Sequence, residues 1–268
     1  MRLEDVARQA LAGDRDAVAQ LVRALQGDVY ALALRMLWHR EDAEDATQEI
    51  MVRVVTRLSQ FDFESRLKTW VYRVATNYLL DVKKSPLERR KLSFASFADD
   101  LATDLSDEGP GQAERSLLTE EVKIGCTLAM LQCVDREHRL AYILGDVLGL
   151  PADEATAALA IEPATYRKRL QRARERIEAF TRAHCGLVSD DTVCRCHRRV
   201  PAAIRLGRAR AGTFADTPRS FDEIKALVRR LDESRWALEL FRASSPMMTT
   251  VDFARRVISA LDGRKRLA

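Results

Sequence analysis

Apolar residues in the first 84 positions recur every three to four residues, which is the spacing of one face of an α-helix. This pattern predicts a helix that begins after Asp14, a second over 41–58 and a third over 66–84. Asp14 is a residue type that caps helix amino termini well. The short segment between the second and third helices is predicted as a loop.

A second helical block runs from about 114 to 184, with helices predicted over 119–133, 136–148, 152–160 and 164–184. Pro151 suits the first turn of the short third helix. A tight turn at 161–163 separates that helix from the last one, which is long and basic. Two helices joined in this way are typical of a helix-turn-helix.

The remaining segments lack a strong pattern. Pro86 ends the first block, and residues 89–113, rich in acids, Ser, Gly and Pro, are predicted as a flexible linker. After 185 a Cys-, His- and Arg-rich stretch precedes two amphipathic helices, over 221–243 and 250–261. The sequence therefore predicts an all-α fold with domains at 1–88 and 114–184, the linker 89–113 between them, and a helical extension over 185–268.

Charge is distributed unevenly, although the net charge is only +4. Residues 164–182 contain seven bases and two acids, whereas 99–109 contain five acids and no base. Such asymmetry suggests different partners for the two segments. Aromatics form only 6% of the chain, and this low share favours helix over strand.

Several classes of protein are not expected. The first residues carry acids and no long apolar run, so a signal peptide is not predicted, and no stretch approaches the roughly 18 apolar residues that would span a bilayer. We therefore expect a cytoplasmic protein. Five cysteines in 268 residues do not make a disulfide framework. Since the chain lacks a Gly-rich phosphate loop, an HExxH pair and a nucleophile elbow, we do not expect an enzyme.

Three runs in the first block carry a family resemblance: YALALRML at 30–37, DAEDATQE at 42–49 and TWVYRVATN at 69–77. Together they resemble region 2 of the extracytoplasmic-function sigma factors, which belong to the sigma-70 family of bacterial RNA polymerase. The resemblance covers most of residues 15–84. It implies that the acidic helix docks on the β′ subunit of core polymerase. Carboxylates three and four residues apart share one helix face and can accept hydrogen bonds from arginines, although most such faces are merely solvated. The residues expected to bind polymerase are Asp42, Asp45, Gln48 and Glu49.

The loop and third helix of this block are expected to read and melt the −10 element, as the resemblance implies. Aromatic, amide and basic side chains are natural receptors for unstacked bases and single-stranded DNA. Trp70 also lies on the apolar stripe, so a core role is an equal alternative for it. The expected −10 contacts are Phe61, Phe63, Arg66, Lys68, Trp70, Tyr72, Arg73 and Asn77.

The second block resembles region 4 of the same family through RLAYILGDVLGL at 139–150 and YRKRLQRARERI at 166–177. The resemblance implies that the basic helix reads the −35 element in the major groove. An ordinary basic surface helix is the alternative. The sequence departs from the family at 133–134, at 151–152, and at the turn, where Ala160 and its neighbours replace the usual Gly. The expected −35 contacts are Thr165, Tyr166, Arg167, Lys168, Gln171, Arg172 and Arg174.

The extension brings thiols and imidazoles together within 14 positions. Thiolates and imidazoles are zinc ligands, but the spacing is not that of a standard finger. A structural or sensory zinc site, a redox disulfide and inert thiols all remain open, and no cofactor is required. The candidate ligands are His184, Cys185, Cys194, Cys196 and His197.

The resemblance implies a transcription initiation factor whose partners are core RNA polymerase (β′ and β subunits) and promoter DNA. An anti-sigma factor, or the extension acting in cis, would regulate it. The acidic linker would thread a polymerase channel or serve as a solvated tether. The alternative function is a helix-turn-helix regulator that binds DNA without joining polymerase, which would have no need of the acidic face or the aromatic loop.

Overall fold

The computed structural model describes residues 2–82, 92–107, 111–206, 208–209, 241–242 and 251–265. Across these ranges the ordered elements are helices, and no strand occurs among them. The predicted all-α class is confirmed. Of the helix predicted over 221–243, only Phe241 and Arg242 fall within the described residues.

Helices in the first block follow the predicted spacing. Asp14 caps α2, since its carboxylate accepts hydrogen bonds from the N–H groups of Asp16 and Ala17. A short 3₁₀ turn follows α3 and leads into the predicted loop. The elements are α1 (Leu3–Leu11), α2 (Arg15–Leu37), α3 (Arg40–Thr56), the 3₁₀ turn (Leu58–Gln60) and α4 (Leu67–Asp81).

Helices after residue 92 include one within the predicted linker. Ser93 and Ser96 form a capping box at its start, and Phe97 and Leu101 are buried. The expectation that 89–113 has no structure of its own is wrong for this part. The elements are α5 (Phe94–Ala102), α6 (Gln112–Gln132), α7 (Arg136–Tyr142) with a π-helical continuation (Ile143–Val147), α8 (Ala152–Leu159), α9 (Pro163–His184), α10 (Cys196–Arg205) and α11 (Phe253–Lys265).

The chain folds into two compact units, and each unit combines segments that are distant in sequence. Unit 1 consists of Met1–Lys83, Leu150–Arg167 and Thr249–Ala268. Unit 2 consists of Lys84–Gly149 and Lys168–Met248. Helix α8, the first helix of the helix-turn-helix, therefore groups with the amino-terminal helices.

Unit 1 is built around α2, whose apolar face is almost completely buried. The carboxyl-terminal helix α11 packs against α2 and α3, with Phe253, Ala254 and Val257 inaccessible to solvent. The ring of Phe253 lies 6.4 Å from that of Tyr30. The last helix of the extension therefore packs on the first block.

One arginine is enclosed in the core of unit 1. Arg35 is 1% exposed and donates a hydrogen bond to the carbonyl of Ala31. Burial lowers the pKa of Arg35 to about 10 because a charged group loses hydration there. The guanidinium thus stays protonated at neutral pH, enclosed in the last turn of α2.

Unit 2 joins the acidic segment to the arginines of the extension. Phe97 of α5 stacks on Phe180 of α9 at 5.3 Å, which anchors the segment. Asp100 then pairs with Arg199 at 3.1 Å and with Arg208 at 2.8 Å. Further pairs along the same segment are Asp104–Arg205 at 2.6 Å and Asp107–Arg198 at 3.1 Å.

Candidate nucleic-acid interface

The acidic face of α3 is accessible. Asp42 and Asp45 are exposed, while Gln48 and Glu49 are half-buried. Glu49 forms an ion pair with Arg53 one turn later, at 2.9 Å. The four residues predicted to bind polymerase therefore share one helix, and its carboxylates can accept hydrogen bonds from a partner.

An aromatic cluster forms at the loop before α4. The ring of Phe61 lies 4.6 Å from that of Phe63 and 5.7 Å from that of Trp70. Phe61 is buried, whereas the other two rings are half-buried. Phe63 adopts a left-handed backbone with φ 62°, which is uncommon for an aromatic residue. Arg8 of α1, which the sequence did not predict here, stacks its guanidinium over Phe63 at 4.6 Å.

Some polar side chains of α4 are exposed to solvent, and others form contacts within the protein. Arg73 and Asn77 are exposed one turn apart, so they can face one ligand together. Lys68 is exposed but forms an ion pair with Asp28 of α2 at 2.7 Å. Tyr72 is buried on the core stripe of the helix, so its ring is not presented to solvent, and its contact with DNA stays a prediction.

The opposite edge of α4 is occupied by α8 within unit 1. The Thr76 hydroxyl donates to the carbonyl of Ala158 at 2.8 Å. The Thr69 hydroxyl donates to Oε2 of Glu154 at 3.1 Å, and the Arg66 guanidinium lies 3.0 Å from the other oxygen of that carboxylate. Arg66, one of the predicted −10 contacts, is thus already paired.

The basic helix α9 presents most of its predicted contacts to solvent. Thr165, Arg167, Lys168, Gln171 and Arg172 are exposed along its length. An exposed row of bases on a helix-turn-helix is the arrangement that major-groove readers use. The geometry therefore fits binding to duplex DNA.

Two predicted −35 contacts are engaged within the protein itself. Tyr166 is 3% exposed, and it continues the apolar seam of Leu170 and Ala173 back by one turn. The sequence alone shows this helical spacing of Tyr166, Leu170 and Ala173. Arg174 donates two hydrogen bonds, at 2.7 and 2.5 Å, to the buried carboxylate of Asp146. No spacing within α9 indicates this pair, because its partner lies 28 residues earlier.

The turn before α9 has alanine at 160, where the family resemblance leads one to expect glycine. Ala160 ends α8 in a left-handed conformation with φ 52°. Only glycine adopts this conformation freely, and an L side chain there costs about 1 kcal/mol. The turn geometry that glycine usually provides is therefore retained, at some cost, with alanine.

Thiols of the extension gather in unit 2 with one more cysteine, which the sequence did not predict to join them. Cys126 of α6 lines the same cavity as Cys185, Cys194 and Cys196, together with His184. Burial raises the pKa of the Cys126 and Cys185 thiols and that of Cys194, the latter to about 11.

The predicted five-ligand set is not assembled. His197 lies instead 3.6 Å from Asp107. Over the ranges that the structure describes, no group of three or more His, Cys, Asp or Glu side chains could hold a metal ion. Protonated, enclosed thiols are poor nucleophiles, so this cluster resembles inert cysteines more than reactive ones.

None of the helices in the described ranges combines the length and apolar character that a membrane crossing requires.

The chain is similar to known proteins. Residues 21–87 match the family described as Sigma-70 region 2. The extracytoplasmic-function RNA polymerase sigma factor SigE of Mycolicibacterium smegmatis is 29% identical over 167 residues, which cover 62% of each protein. SigW of Bacillus subtilis is 36% identical over 88 residues, 32% of this chain and 47% of SigW. The chain thus matches less than two thirds of the length of either relative.

Two further matches cover more of the other protein. The RNA polymerase sigma factor NccH of Alcaligenes xylosoxydans is 29% identical over 66% of this chain and 93% of NccH. Among solved structures, CnrH in complex with the cytosolic domain of CnrY aligns with a TM-score of 0.46 and 22% identity, over 65% of this chain and 93% of CnrH.

Proposed function

Because the chain belongs to the sigma-70 family and is of the extracytoplasmic-function type, we propose that it is a transcription initiation factor. It binds core RNA polymerase, directs it to promoters through their −35 and −10 elements, and promotes strand opening. The observation that carries the proposal is the exposed pair Arg73 and Asn77 beside the aromatic cluster of Phe61, Phe63 and Trp70, inside the segment that matches region 2.

Docking on polymerase is assigned to α3. The exposed carboxylates of Asp42 and Asp45 are available to arginine or lysine groups of the β′ subunit. Opposite charges across an interface speed association and fix its register. The α3 face therefore serves as the anchor of the factor, with Gln48 and Glu49 extending it by one turn.

Strand opening is assigned to α4 and the loop before it. A base that leaves the stack needs an aromatic surface and hydrogen-bonding groups to hold it. The half-buried ring of Trp70 supplies the first, while Asn77 and Arg73 supply the second. Binding energy drives this step, so the chain itself needs no nucleotide hydrolysis and performs no covalent chemistry.

Recognition of −35 DNA is assigned to α9. Arg167, Lys168, Gln171 and Arg172 point to solvent and can reach base edges or phosphates. Tyr166 and Arg174 support the helix rather than read DNA, since one is buried and the other holds Asp146.

In vitro transcription tests the proposal. Core polymerase, with and without the purified chain, is supplied with a template library that carries a randomised promoter segment. We expect transcripts whose start sites share two upstream elements only when the chain is present. If the library yields no such transcripts and the chain does not bind core polymerase in a pull-down, the proposal is wrong.

The second candidate, a regulator that binds DNA without polymerase, predicts a different pair of results. It predicts duplex binding through α9 with no retention on core polymerase. The match of residues 21–87 to Sigma-70 region 2 favours the initiation factor, because a simple regulator does not need this segment.

A further inference from the structure

Helix α10 presents arginines from a fixed support. Its apolar side, which includes Cys196, Val200 and Ala203, is buried, and the helix packs on α6 within unit 2. Between positions 195 and 208 the sequence has five arginines and no acid. Because the apolar face is held by its packing, the polar face keeps one orientation. The extension therefore carries a concentrated positive surface, which is a candidate site for a polyanion.

Carboxylates of the acidic segment, residues 100–107, already occupy this surface. Arg198 lies 3.1 Å from Asp107, and Arg205 lies 2.6 Å from Asp104. An arginine binds a phosphate through the same charge-assisted hydrogen bonds that it makes to a carboxylate. The acidic segment therefore stands where the phosphates of a nucleic acid would bind.

The ion pairs differ in how strongly they hold the acidic segment. The side chain of Arg199 is only 6% exposed and also donates to the carbonyl of Thr103, so it anchors the segment in the fold. Arg205 and Asp104 are instead 59% and 57% exposed, and Asp107 is 71% exposed. Water and salt weaken exposed ion pairs of this kind. A phosphate backbone can therefore displace Asp104 and Asp107 while Arg199 keeps the segment in place.

We propose that Arg198, Arg205 and Arg208 form a binding surface for the phosphate backbone of duplex DNA, and that the acidic segment competes with DNA for this surface. Duplex DNA is the favoured polyanion because unit 2 also contains residues 168–184 of the basic helix α9. That choice rests on the proposed function. The inference adds a contact with DNA that the extension makes and that is independent of base sequence.

Competition within one chain hides the surface while the carboxylates are charged. The acidic segment is tethered to the arginines, so its effective concentration there is high, on the order of millimolar. Duplex DNA gains contacts with the arginines only when it overcomes this competition. Neutral side chains in place of the carboxylates should therefore reveal an affinity for DNA that the wild-type chain does not show.

Substitution of two carboxylates tests the competition. Asp104→Asn with Asp107→Asn keeps the shape of both side chains and leaves the buried pair of Arg199 intact. The matched control, Asp99→Asn with Glu114→Gln, removes two exposed charges of the same unit. The probe is a fluorescein-labelled duplex of randomised sequence, and fluorescence anisotropy with the full chain gives its affinity from low to high salt.

We expect Asp104→Asn with Asp107→Asn to tighten duplex binding about tenfold, and the control to change it less than twofold. The affinity should also depend more steeply on salt, because two added phosphate contacts release about two more counterions. Equal gains in the two variants would mean that net charge alone acts, and would overturn the proposal. Melting curves followed by circular dichroism confirm that both variants are folded.

Removal of the arginines completes the cycle. Arg198→Ala with Arg205→Ala should change duplex binding less than twofold in the wild-type chain, where carboxylates occupy both groups. In the background of Asp104→Asn with Asp107→Asn, the same change should abolish the tenfold gain. A gain that survives without the two arginines would place the DNA contact elsewhere and overturn the proposal.

A single-stranded RNA of randomised sequence replaces the duplex in a parallel titration. If the neutralised variant gains more affinity for RNA than for duplex DNA, the assignment of the surface to DNA is wrong. None of these titrations contains core polymerase. Failure of the wild-type chain to support transcription would overturn the proposed function and leave the measured DNA surface standing, whereas a missing gain in anisotropy would overturn the surface alone.

Discussion

Two acidic regions of this chain look alike in sequence and differ in their surroundings. On α3, Asp42 and Asp45 are exposed on one helix face. In the segment from Asp100 to Asp107, each of the three carboxylates at 100, 104 and 107 pairs with an arginine of the extension, about 90 to 110 residues later. The first region is available to a partner, whereas the second has a partner within its own chain. A run of like charges therefore predicts binding only when the rest of the fold leaves it exposed and does not pair it with distant residues.

Charge reversal on α3 is expected to have the largest effect. Asp45→Arg combined with Glu49→Arg should weaken core polymerase binding at least a hundredfold, because attraction becomes repulsion at the proposed anchor. The thermal midpoint should change little, since Asp45 is exposed and the Glu49–Arg53 ion pair is partly solvated, and such pairs contribute little. The measurement is a pull-down titration with core polymerase, alongside a melting curve.

The matched control reverses Asp104 and Asp107 in the other acidic region. Core binding should persist there, because those carboxylates already face Arg205 and Arg198. If this control loses core binding as fully as the α3 variant does, the comparison between the two regions fails.

Removal of Asp100 should cost stability rather than binding. Asp100→Ala leaves Arg199, whose side chain is only 6% exposed, without its carboxylate partner. Breaking a pair that is largely buried on one side should lower the free energy of unfolding by about 2 kcal/mol. Urea unfolding monitored by circular dichroism measures this loss. An unchanged midpoint would mean that the pairing contributes nothing to the fold.

The same contrast between free and paired charges applies to α9. Arg167→Ala with Arg172→Ala should weaken duplex binding about tenfold and reduce the salt dependence of the affinity, because both groups are exposed and each phosphate contact releases counterions. Arg174→Ala should instead lower stability, since it leaves the carboxylate of Asp146 buried and unpaired. Salt titrations of duplex affinity, with melting curves, separate the two outcomes.

A pH titration should give the smallest effect, in the extension that supplies the arginines. Burial raises the pKa of Cys194 from 9.0 to about 11. An acid with a raised folded pKa contributes stability that is complete below its unfolded pKa and declines above it. Stability should therefore decline as the pH rises from 9 towards 11. In urea unfolding, the free energy of unfolding should decline less steeply with pH in Cys194→Ala than in the wild-type chain. If the two proteins lose stability in parallel, the raised pKa of Cys194 does not cause the decline.

Much of the fold and part of the site were predictable from local spacing. Asp14 caps α2 as expected, because capping depends on neighbours two and three residues away. The exposed positions of α9 followed from its seam, although Tyr166 showed that the seam begins one turn earlier. Cys126 and Arg8 were missed, since each joins its cluster from a distant helix and no local spacing marks it.

The sequence by itself determined the helices, their caps, the basic and acidic faces and the family resemblance. These properties depend on residues a few positions apart, and so they can be read along the chain. Only the tertiary structure decided which charges are free, that α8 lies on α4, and that α11 packs on α2 and α3. Such contacts join residues some 80 to 250 positions apart, and their choice depends on how shapes and charges fit once the chain has folded. Helical periodicity specifies which face is apolar, but not which other apolar face will cover it.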